Sequence, residues 1–206
     1  DGSRLLTNNV PEKNVAYIDS VEAAGLNILG MTNVPEFASL KLTDNDLFGA
    51  TRNPWNLEYS AFTSSGGSAA AVGAGVIPMA HGTDGAGSCR LPASATGILG
   101  MKPSRYRMRS GEADGSHDIA KTNQVLSRSV RDSAALLNYT EDKSGKMYPA
   151  IGLVQEPSRR RLNIAVAADA PGLLKVEAEV RVALENTVKL MQELGHKIFE
   201  VAYPVD

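Results

Sequence analysis

Cysteine is nearly missing from this chain of 206 residues, where Cys89 is the only one. A single thiol cannot build an internal disulfide framework, and such sparing use fits a reducing, cytoplasmic compartment. Charge of one sign is lacking as well. Lys and Arg number 21 against 23 Asp and Glu, for a formal charge of -2, so no field favours nucleic acid or an anionic membrane as a partner. The densest basic run, Arg159 to Arg161, stands just before an apolar strand pattern and reads as its solvated cap. No apolar run approaches the roughly 20 residues of a membrane-spanning helix. Histidine is scarce too: His81, His117 and His196 are spread without ligand spacing, so no metal site is expected.

What remains is an ordinary globular composition, 43% hydrophobic and 21% charged, in a chain long enough to bury a core. Val15, Ile18, Val21 and Ala24 recur at helical spacing, with Gly25 placed to stop the helix. The apolar run LNILGMT, residues 26 to 32, predicts a buried strand. From Asn33 to Phe62 the pattern breaks into turn residues, which predicts a long ordered loop carrying Trp55. SSGGSAAAVGAG predicts a helix with a Ser/Gly-rich start, and VIPMAHG and GILGMKPS predict short strands. Near the end, RLNIAVAA and HKIFEVAY read as strands flanking a helix over 175–194, whose inner face carries Val180, Leu184, Val188, Met191 and Leu194. Strand, helix and strand in that order make an α/β unit. No internal repeat or domain linker stands out.

Residues 64 to 94, SSGGSAAAVGAGVIPMAHGTDGAGSCRLPAS, carry the chemistry. So much Ser and Gly ordinarily marks a solvated linker. Here the spacers are Ala, Val, Ile, Met and Leu, which favour burial, so the small residues are read as permitting close backbone packing. A phosphate-binding loop fails because no Lys lies between Ser64 and Arg90. Neither G-x-G-x-x-G nor G-x-S-x-G occurs, since Ser88 sits in Ala86-Gly87-Ser88-Cys89-Arg90. His81 could serve a serine as base, but a hydrogen-bonded structural histidine at the end of a strand is the favoured reading. The backbone N–H groups from Gly85 to Ser88 can form a nest for a negative oxygen. If Ser88 attacks a carbonyl, each such donor is worth about 3 to 4 kcal/mol at the transition state.

GMTNVPEFA, GATRNPWN, SSGGSAAAVGAG, HGTDGAGSCRLPAS, GILGMKPS and VRDSAALL follow one another as they do in the amidase signature enzymes, and ELGHKIFEVAYP is similar to a later segment of that family. The resemblance covers nearly the whole chain. It implies an α/β fold with a mixed β-sheet core covered by helices on both faces, here an incomplete single domain over 1–206. It also implies hydrolysis of amide bonds through a serine acyl-enzyme, with no cofactor and a small-molecule amide as partner. Carried over, the nucleophile is Ser88 and the bridging serine, reached through a cis peptide, is Ser64. The oxyanion donors fall on Gly85, Ala86, Gly87 and Ser88; Ser65 and Thr83 support the two serines, and Asp84 and Arg90 hold the nucleophile's loop. Cys89 reads as a small packing residue. A serine is a poor nucleophile until a base takes its proton, and the family uses a lysine kept neutral by burial.

Two departures qualify the resemblance. Lys13 is too near Ser64 in sequence to be the base, Met31 replaces the lysine of a Gly-Lys-Thr-Asn motif, and Lys102 reads as structural. The lysine-bearing segment is therefore expected before Asp1, and a C-terminal part is expected after Asp206. Phe62 and Thr63 replace two glycines, and the crowding of a β-branched Thr argues against a cis bond at Thr63–Ser64. Two alternatives stand beside hydrolysis: an inactive remnant serving binding or homo-oligomerisation, and the amidotransferase branch, which releases ammonia from glutamine.

Overall fold

The computed structural model describes residues 2–109, 121–169 and 176–202, so Asp1 and His117 lie outside the described residues. The chain divides into two compact units, 1–155 and 156–206.

The first unit runs α1 (Ala16–Ala23), β1 (Arg52–Asn53), β2 (Asn56–Ser60), α2 (Gly66–Gly73), β3 (Met79–Asp84), α3 (Arg90–Thr96), β4 (Leu99–Gly100), β5 (Thr122–Ser127) and α4 (Val130–Thr140). In α1 the expected helical spacing holds. Val15, Ile18 and Val21 pack against a core of Tyr17, Met108, Val125, Leu136 and Leu137, and Gly25 turns the chain off the helix at φ 77°. Ser129 starts α4 by accepting the Asp132 amide at 3.1 Å.

The expected strand over 26–32 does not form. Leu29 is 81% and Met31 98% exposed, and among the described residues no strand pairs with the segment. An apolar run becomes a strand only where a neighbour completes its ladder. The loop expected over 33–62 is also corrected, because β1 and β2 form an antiparallel ribbon there with Trp55 at its turn.

β3, β5 and β4 form an antiparallel sheet with β5 in the centre, and the register sets His81 opposite Val125 and Gly82 opposite Gln124. Strand side chains alternate between faces. Val125 joins the core beneath α1 and α4, while Leu126 joins Ala69 of α2 and Cys89 and Ala93 of the α3 region. Helices thus cover both faces of this sheet, and a fully buried Leu such as Leu126 contributes about 2 to 3 kcal/mol. His81 lies on the α1 side, its ring 5.0 Å from that of Tyr17 and its Nε2 3.1 Å from Asn123 Oδ1. The next residue, Gly82, faces the other way, toward Ser65 and Cys89.

The second unit is the anticipated strand–helix–strand. β6 (Asn163–Val166) pairs in parallel with β7 (Lys197–Glu200), and α5 (Ala178–Glu193) joins them. Leu184, Val188 and Met191 are half-buried, whereas Val180 and Leu194 at the ends of the expected stripe are exposed. Among the described residues, no helix is long and apolar enough to cross a membrane.

Candidate active site

The Ser/Gly run is close packing rather than a linker. A side chain at Gly66 would overlap Thr43, and one at Gly67 would overlap the backbone of Asn33. The Gly67 amide, one of the open donors at the start of α2, donates to Asn33 O at 3.1 Å. Further along the helix, the Ser68 hydroxyl donates to His81 O at 2.7 Å and lies 2.8 Å from the Thr32 hydroxyl. These contacts fix the start of α2 against both β3 and the 32–33 segment.

Immediately before α2, the Thr63–Ser64 peptide is cis, which corrects the expectation drawn from the β-branched Thr. The Thr63 hydroxyl reaches Leu40 O, to which it donates at 2.6 Å. Phe62 adopts φ 67°, in the left-handed region where glycine is the usual occupant. Its carbonyl accepts from both the amide and the hydroxyl of Thr43, at 3.1 and 2.7 Å.

Ser64 and Ser65 are both buried. The Ser65 amide donates to the Ser88 carbonyl at 3.2 Å, which brings the two serine segments together. The Ser65 hydroxyl accepts a long 3.4 Å hydrogen bond from the Thr83 amide. Gly82 allows this approach, since a Cβ there would sit 2.6 Å from Leu126, 2.8 Å from Cys89 Sγ and 2.9 Å from Ser65 Oγ.

Asp84, at the end of β3, organises the turn that presents Ser88. Its Oδ1 accepts from the Gly87 amide at 2.8 Å and from Arg90 Nη2 at 2.9 Å. Its Oδ2 accepts from Arg90 Nε at 2.8 Å and from the amides of Cys89 and Arg90 at 3.2 Å each. The carboxylate therefore caps α3 and grips Arg90 in a two-point contact. Burial alone would raise its pKa, but Arg90 and the three amides outweigh that and hold it at about 2. At the far end of α3, Asn53 donates to Ala95 O and the Trp55 indole to Thr96 O, both at 2.7 Å. Sequence reasoning gave Asn33, Asn53 and Trp55 no role. Asn-Pro-Trp-Asn signalled a turn, but its carbonyl partners lie some 40 residues away.

The nest differs in one respect from the expectation. Because the Gly87 amide is committed to Asp84, the open set narrows from four donors to Gly85, Ala86 and Ser88, which donate to no other group among the described residues. Ser88 itself is half-buried. Cys89 is fully buried beside Ala69, Ala93 and Leu126. Burial, reinforced by the Asp84 charge, pushes its thiol up to about 12, so it stays protonated at neutral pH and packs rather than reacts. His81 projects from the opposite face of the sheet.

Known proteins resemble this chain in sequence and fold. The family model described as Amidase matches residues 1–205. The putative amidase AmiC of Mycobacterium tuberculosis is 39% identical over 186 residues, covering 89% of this chain and 39% of that protein. The 6-aminohexanoate-cyclic-dimer hydrolase of Paenarthrobacter ureafaciens is 36% identical over 201 residues, covering 91% of this chain and 40% of that enzyme. Among solved structures, a bacterial aryl acylamidase of the amidase signature family superposes with a TM-score of 0.81 at 28% identity, covering 98% of this chain and 43% of that one. A 6-aminohexanoate cyclic dimer hydrolase complexed with substrate gives 0.80 at 34% identity, covering 94% and 42%. The chain spans about two fifths of the length of the curated relatives it matches. On the family model and these relatives together, the chain belongs to the amidase signature family.

Proposed function

We propose that the chain is the serine-bearing part of one catalytic domain that hydrolyses the amide bond of a small molecule through an acyl-enzyme on Ser88. The observation that carries this reading is the Ser65 amide bonded to the Ser88 carbonyl at 3.2 Å. That bond sets the segment bearing Ser64 beside the turn bearing Ser88, whose own shape is held by Asp84. In this reading the Ser88 hydroxyl attacks the acyl carbon and its proton passes through Ser64 to a neutral lysine outside residues 1–206. The carbonyl oxygen becomes an oxyanion accepting from the amides of Gly85, Ala86 and Ser88. The C–N bond then breaks as the relay returns the proton to the leaving nitrogen, releasing ammonia or an amine. Water attacks the Ser88 ester along the same path, the acid leaves, and the serine is restored. Neither a metal nor an organic cofactor enters this chemistry, and its setting would be the cytoplasm.

Similarity to one of the subunits of Glutamyl-tRNA(Gln) amidotransferase from Thermotoga maritima, with a TM-score of 0.80 at 30% identity, supports the ammonia-transferring branch as a second reading. Hydrolysis is preferred because the curated relatives given above carry the names of a putative amidase and a hydrolase. The test is labelling with a fluorophosphonate, which reacts with activated serines, in protein carrying the lysine-bearing segment. A tag mapped to Ser88 supports the reading; folded protein tagged elsewhere or not at all refutes it. Ammonia released from glutamine rather than from other amides favours the second reading.

A further inference from the structure

Past β4 the chain gathers cations. Lys102, Ser104, Arg105, Tyr106, Met147 and Tyr148 line an open cavity of about 530 Å³, within the range of small-molecule sites. None of these residues belongs to the two serine segments. The wall contributed by residues 147–152 is anchored. The Arg107 guanidinium lies 4.7 Å from the centre of the Tyr148 ring, and its Nη1 donates to Pro149 O at 2.6 Å. Glu141 accepts from the amides of Ile151 and Gly152 at 2.8 Å each, with Arg107 3.8 Å away. The buried Glu141 carboxylate is thus already engaged.

Among the described residues, the lining holds two cations and no carboxylate. Lys102 Nζ gives one proton to Pro103 O at 2.9 Å and keeps two for another acceptor. Arg105 makes no ion pair among the described residues. Two tyrosine rings and a thioether supply flat, polarisable walls. We propose that this cavity binds a small aromatic carboxylate, with Lys102 and Arg105 on the carboxylate and Tyr106, Tyr148 and Met147 on the ring. The charge sets it apart from a neutral aromatic amide, and the walls set it apart from an aliphatic acid.

Calorimetric titration of the chain with benzoate, acetate and benzamide tests this. Benzoate should bind at least about fivefold more tightly than either of the others, and Arg105→Gln should weaken it at least about fivefold. Tyr148→Ala should narrow the gap between benzoate and acetate. Should Arg105→Gln lose the native far-ultraviolet dichroism, Lys102→Gln is measured in its place with the same expected loss. Benzoate binding no better than acetate or benzamide overturns the proposal, as does binding that the folded charge variant leaves unchanged.

Discussion

Replacing Asp84 by Asn probes the turn that presents Ser88. The wild-type carboxylate accepts five hydrogen bonds, two at Oδ1 and three at Oδ2, and its side chain is 1% exposed. In the variant Nδ2 is a donor, so one side of the group faces donors it cannot satisfy, and the guanidinium loses its counter-charge. Arg90 is half-exposed and finds water, while the amides of Cys89 and Arg90 find it less readily. The expected loss is about 3 kcal/mol in urea unfolding at pH 7. The pH dependence supplies an independent check. The folded pKa of about 2 lies below the ordinary 3.8, so the unfolded chain takes up the proton first as pH falls. The stabilisation is complete above roughly pH 5 and is lost as pH drops through about 2, amounting to about 1 to 2 kcal/mol after screening at Arg90. Asp84→Asn should remove that component of the acid slope. A variant within about 0.5 kcal/mol of wild type at neutral pH, or one that keeps the full acid slope, would refute the assigned role of Asp84.

Three further outcomes follow from the packing around the turn. Gly82→Ala forces a Cβ against Leu126, Cys89 and Ser65 and should cost about 2 to 3 kcal/mol, with loss of amide exchange protection at Ser65. Trp55→Phe deletes the indole bond to Thr96 O and should cost about 1 kcal/mol by chemical denaturation; no change would mean that water caps that carbonyl equally well. The Cys89 thiol, buried and pushed to about 12, should resist a disulfide reagent at pH 8 in native protein and react at once in denaturant.

Legibility followed the range of the interactions. The elements α1, α5, β6 and β7 could be read because period and punctuation are local, as Gly25 and Gly195 show at φ 77° and 85°. The strand forecast over 26–32 failed because period says nothing about whether a neighbouring strand is there to pair. At the site, the serines and the Asp84–Arg90 grip were named through the family resemblance. The diversion of the Gly87 amide to Asp84 was not, because it depends on where a carboxylate three residues back points. Thr63 shows the same limit. Its branching suggested crowding, whereas the fold gives its hydroxyl a partner at Leu40.

The central proposal is that Ser64 relays the proton of Ser88, and the direct measurement is the rate of Ser88 phosphonylation in wild type and in Ser64→Ala, with peptide mapping, in protein that includes the proposed lysine. The account predicts a fall of about 100-fold or more on removal of Ser64, with Ser88→Ala unlabelled. Equal rates in wild type and Ser64→Ala would contradict it.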